Sequence, residues 1–89
     1  MKRCYLEVTY HHGRPLAAYY YLPRRDGDRS AQTRLEPGGL AVDFSPDGRA
    51  IGVEIIHPRQ FELAALNRVL EEIGQKSVTP EDVAPLLAA

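Results

Sequence analysis

The stretch that most constrains the fold is 38–58, GGLAVDFSPDGRAIGVEIIHP. Two apolar runs, 40–44 and 50–56, flank Ser45-Pro46-Asp47-Gly48. Asp47-Gly48 between alternating apolar runs is a hairpin signal, because glycine takes positive φ without a Cβ clash. Two registers compete. If Asp47-Gly48 is a two-residue loop, Phe44 faces Ile51, Val42 faces Val53 and Leu40 faces Ile55. Ala41, Asp43, Ala50, Gly52 and Glu54 then lie on the other face. If Pro46-Asp47 centres a type I turn and Gly48 forms a bulge, one strand slips by a residue. Pro46 suits that turn. The apolar match prefers the two-residue loop, since a one-residue slip exchanges the faces.

The same residues carry a resemblance. Val42-Asp43-Phe44, Asp47-Gly48-Arg49 and Gly52-Val53-Glu54-Ile55 resemble the signature of a short prokaryotic family, the domain of unknown function twenty-two eighty-three. A Tyr-rich strand at 18–22 fits it as well, so the resemblance covers 10–58. The segment between Pro23 and Pro37 is longer and more charged than the family pattern, and the C-terminal third lies outside it. The resemblance implies a fold and no catalytic residues. Some members look like partners of small toxins, which implies a protein partner.

Upstream of the hairpin, 4–10 alternates: Cys4, Leu6, Val8 and Tyr10 against Tyr5, Glu7 and Thr9. That is a half-buried strand. His11-His12-Gly13-Arg14-Pro15 reads as a turn. In the next strand Leu16, Ala18, Tyr20 and Leu22 face the core, and Ala17, Tyr19 and Tyr21 face away. Segment 23–39 is polar and irregular, with an edge strand expected at 32–35 and a mobile front at 24–30. Pro58 opens the main helix, 59–74, because proline suits the first helical position. Its stripe is Leu63, Leu66, Val69, Leu70 and Ile73, and Gly74 caps it. Thr79, Pro80, Glu81 and Asp82 start a second short helix, which Pro85 must break or bend. The expected fold is α+β: a single domain, 1–89, with a β-meander of four to five antiparallel strands (1–58), the main helix on one face and a C-terminal segment (75–89).

The chemistry is narrowed mainly by exclusion. Net charge is −1, which favours neither nucleic acid nor a membrane surface. Arginine outnumbers lysine nine to two, read first as compositional bias. One cysteine, Cys4, permits no internal disulfide and no cysteine-based zinc site. There is no apolar run of membrane-span length and no signal-peptide core, so a soluble cytoplasmic protein is expected. His11, His12 and His57 are the only histidines. A sequential meander sends them to opposite edges, so no metal site is assigned. No nucleophile constellation and no phosphate loop appear, so no catalytic residue and no cofactor are assigned.

Asp43 and Glu54 form a candidate polar site, though solvated carboxylates near arginine are the preferred explanation. Tyr5, Tyr19 and Tyr21 crowd the face away from the helix, beside Ile56 and near the arginines of the irregular segment. Tyrosine is enriched in protein interfaces, and one helix covers only one sheet face. The expected function is a non-enzymatic interaction module. It would be a homodimer built on this face, or the partner of a small toxin-like protein. The alternative is a nucleic-acid-binding accessory protein stacking bases on the Tyr face. An enzyme with an unrecognised site comes third.

Overall fold

The structure, a computed structural model, describes residues 3–87. Residues 1–2 and 88–89, at the limits of the N-terminal stretch and the 75–89 segment, lie outside the described residues. Strands β1 (Tyr5–His11) and β2 (Arg14–Tyr21) close through His12 and Gly13, both at positive φ. Two positive-φ residues make a tight loop whose twist matches the strands. A bulge follows at once: Thr9 pairs Ala17 while Tyr10 pairs Pro15, so Leu16 has no partner. The extra residue changes which side chains face inward. Leu16, expected in the core with Ala18, Tyr20 and Leu22, is 61% exposed, and Pro15 is buried in its place.

Strands β3 (Gln32–Glu36), β4 (Leu40–Phe44) and β5 (Ala50–Ile55) form a three-strand meander. The full sheet is antiparallel in the order β1-β2-β5-β4-β3. The α+β class, the five strands, the main helix and the short C-terminal helix agree with the sequence. The order is not purely sequential: β2 pairs β5, not β3. Segment 22–31 therefore carries the chain to the far edge. Its front, expected to be mobile, is tethered. Arg24 donates from Nε to the Ile51 carbonyl at 3.1 Å, and Asp28 accepts from Arg49 at 2.7 Å.

Both candidate hairpin registers occur in one hairpin. The Gly48 amide donates to the Ser45 carbonyl, so Pro46-Asp47 centres the turn with Gly48 at φ 86 as the bulge. Phe44 accordingly pairs Ala50, not Ile51. A second irregularity, at Ile51, restores the apolar match: Asp43 pairs Gly52, Val42 pairs Val53 and Leu40 pairs Ile55. Two one-residue slips cancel. Ala50, expected on the outer face, packs against the helix-side core, and Ile51 is buried outside that cluster.

Pro58 opens only a short 3-10 turn, Pro58–Gln60. Phe61 and Glu62 are extended, which lays Phe61 against the core, and α1 begins at Leu63 and ends at Glu72. The Gln75 amide reaches the Leu70 carbonyl and the Gly74 amide reaches Glu71, a Schellman end. Asn67 then clamps the return chain: its amide donates to the Val78 carbonyl and its oxygen accepts from the Val78 amide. Thr79 and Asp82 exchange side-chain and backbone bonds at the start of the turn Glu81–Val83, which leads into α2 (Ala84–Leu87). Pro85 sits in the first turn of α2, where its missing N–H costs nothing. Val78, Val83 and Leu86 join Leu66, Val69, Leu70 and the strand residues in one core. Both α1 and the C-terminal segment thus pack on the same sheet face.

Candidate functional site

The outer face is the site that alternation placed away from α1. Tyr5 and Tyr21 pair across β1 and β2, with rings stacked at 4.4 Å and 13°. The Tyr19 ring meets Tyr21 at 4.6 Å in an edge contact. Such pairs add to the area they bury. Arg24, from the segment after β2, sets its guanidinium 4.9 Å from the Tyr21 ring centre. Tyr21 is therefore engaged by Tyr5, Tyr19 and Arg24, while Tyr5 is 48% exposed.

Tyr19 sits differently from its neighbours. Its hydroxyl donates to Asp43 at 2.7 Å and accepts from Arg24 at 3.2 Å. The second Asp43 oxygen accepts from Thr33 at 2.6 Å. Burial, and then the bond to Asp43, push the Tyr19 hydroxyl well above the usual phenol range. Tyr21 is shifted the same way, first by burial and then by Glu7, whose carboxylate accepts its proton bond at 3.2 Å. Both phenols are thus held protonated, as donors. The Tyr19 ring lies over Gly52, where a Cβ would have no room.

Asp43 and Glu54 do not form the pair considered from sequence. Asp43 faces Gly52 across the strands and takes two hydroxyl donors, not an arginine. Glu54 faces Ala41 and Tyr19 and is exposed, outside that network. Ile56 is 37% exposed, just past β5. Asp47 and Gly48 are exposed at the far turn, where the Ser45 hydroxyl and Arg49 hold the Asp47 carboxyl down at about 2. Sequence patterning did not mark Thr33, and it placed Arg24 only among the arginines near the Tyr face and Gly52 only on the outer face. A glycine inside a strand can mark a close approach, and for Gly52 that signal was present.

The histidines are the largest revision. Strands β1 and β5 both run antiparallel to β2, so both finish at the same end of the sheet. His11, His12 and His57 line one open cleft there with Arg14 and Arg59. Their expected separation to opposite edges is corrected by the strand order. Among the described residues, no three His, Cys, Asp or Glu side chains are grouped to hold a metal ion. No described helix is long and apolar enough to cross a membrane. No family model, curated protein or solved structure matches the chain.

Proposed function

We propose that the chain is a small binding module that docks a protein on its outer sheet face, first a second copy of itself. One observation carries this. Helix α1 and the 78–87 segment lie on one face, leaving Tyr5 and Ile56 exposed on the other without a covering element. Apolar surface left wet forgoes about 25 cal/mol per Å². In a chain this short the core has little stability to spare. A twofold dimer would pair the patch with itself. A heterologous partner of the toxin-like kind, in the cytoplasm, is the second form of the same proposal. The toxin-like kind is what the family resemblance implies, whereas docking on this face rests on its exposed side chains. Base stacking is less favoured, because Tyr21 already has Tyr5 and Arg24 against its ring.

The test is light scattering at micromolar concentration on the wild type and on Tyr5→Glu with Ile56→Glu. These two positions are exposed, whereas Tyr19 is built into the face and would report on folding. The expected result is a wild-type dimer and a folded monomeric variant. A monomeric wild type refutes self-association. A heterologous partner is then supported only if the wild type captures one stoichiometric protein that the variant does not.

A further inference from the structure

We propose that the cleft at the end of β1 and β5 binds a small organic ligand through a phosphate group. The cleft has a volume of about 900 Å³. Small-molecule sites span about 300–1,000 Å³. Its polar wall is Arg14, Arg59, His11, His12, His57 and Gln60, and no Asp or Glu lines it. The ion pairs among the described residues are Arg34–Glu36, Arg49–Asp28 and Arg49–Asp47, so neither cleft arginine is neutralised in this way. The next cleft makes the contrast. Arg25, Arg34 and Arg49 line it, but Arg34 and Arg49 are paired and Glu72 stands on its wall with Arg25.

Arginine is always charged, and its planar fork matches phosphate oxygens in pairs. Two unpaired arginines suit a dianion, and imidazole N–H groups can complete the shell around its oxygens. Pro15, Leu16, Ile56 and Pro58 form the rest of the wall. They leave an apolar surface for the body of the ligand. The bulge that exposes Leu16 also turns it toward this cleft.

Two local features position the imidazoles. His12 has φ 51, the one non-glycine residue at positive φ among those described. It occupies a loop position where Asn, Asp or Gly is preferred, and its ring meets His11 at 4.1 Å. The His57 ring lies against Gly39, where an added Cβ would stand 3.1 Å from its Cδ2.

The test is an amide-resonance titration of the full chain with inorganic pyrophosphate, with succinate and with a short single-stranded oligonucleotide. Pyrophosphate should saturate, shifting the amides of 11–14, 57, 59 and 60 together. Arg14→Ala and Arg59→Ala should each weaken it roughly tenfold, the scale of one charge-assisted contact. Arg68→Ala, on α1, should leave it unchanged. All three side chains are exposed, and the spectra report whether each variant is folded. Failure to saturate by roughly 10 mM, far weaker than a specific site, overturns the proposal. So does wild-type affinity in both cleft variants. Succinate binding as tightly removes the phosphate assignment, and oligonucleotide binding that tightens with length replaces the small ligand by nucleic acid.

Discussion

Gly52→Ala should destabilise the protein, and the sign should reverse once Tyr19 is removed. Gly52 does not have positive φ, so its backbone accepts alanine. In open space that change would stabilise by about 0.4–1 kcal/mol, mainly through the unfolded chain. Here the added Cβ would overlap the Tyr19 Oη, Cε2 and Cζ, at 2.1, 2.3 and 2.4 Å. The ring has to swing outward. The hydroxyl bond to Asp43 at 2.7 Å is then lost, and Arg24 loses one of its two acceptors. A hydrogen bond to a charged group contributes about 1.5–3 kcal/mol. The site is partly buried and still reached by water, which places the loss at the low end, so the net change is about 1 kcal/mol destabilising. In a Tyr19→Ala background the clash and the bond are both gone. The same glycine change should then be neutral or stabilising by up to about 1 kcal/mol. Urea denaturation of the four proteins in the cycle measures this, with a coupling of about 1–2 kcal/mol expected for contacting residues. Gly52→Ala that stabilises the wild type, or costs the same in both backgrounds, would refute the role given to the ring.

Leu66→Ala should cost about 2–5 kcal/mol, because Leu66 is fully buried at the centre of the core. Leu35→Ala, at 74% exposure on the edge strand, should stay within about 0.5 kcal/mol, and denaturant curves in the reverse order would overturn the core assignment. Gly48→Val should lower the melting temperature, since φ 86 costs a β-branched residue about 1–2 kcal/mol although no atom crowds the new Cβ. Asp47, held at about 2 by Ser45 and Arg49, is lowered from an unfolded value near 3.8, so its contribution is complete above that value and is lost as pH falls toward 2. Asp47→Asn should shallow the acid limb of melting temperature against pH without abolishing it, because Arg49 lowers Asp28 as well; an unchanged limb would sink this.

What the sequence made legible is what local periodicity controls. The 40–44 and 50–56 runs, the alternation of β1, the α1 stripe and the Gly74 end each follow from rules that act within a few residues. Two bulges were not legible. The one at Leu16 is set by where His12-Gly13 closes the loop. The one at Ile51 compensates a slip introduced at Gly48. Each moves a residue to another face only because a partner strand has a fixed register, and that register is tertiary. The late start of α1 has the same origin: Pro58 can begin a helix, but Phe61 gains more by lying extended against the core.

The two candidate sites divide along the same line. The Tyr face was legible because a period of two puts Tyr19 and Tyr21 together on β2, and an antiparallel partner brings Tyr5 beside them. Which tyrosine is free was not legible. That depends on Asp43 and Gly52 arriving from β4 and β5 to fix Tyr19 in place. The cationic cleft depends on strand order alone. In a sequential five-strand meander β5 is remote from β1, and His57 stands far from His11. β1 and β5 run the same way in either order, and inserting β5 beside β2 leaves only one strand between them. The ends of β1 and β5 then coincide, and residues chosen for a loop and for a helix entry become one wall. Local chemistry has no term for that step, because the free energy that selects β2 against β5 comes from pairs such as Ala18 with Ile55 and Tyr20 with Val53 in the core. The packing that stabilises the sheet is therefore what gathers the charge.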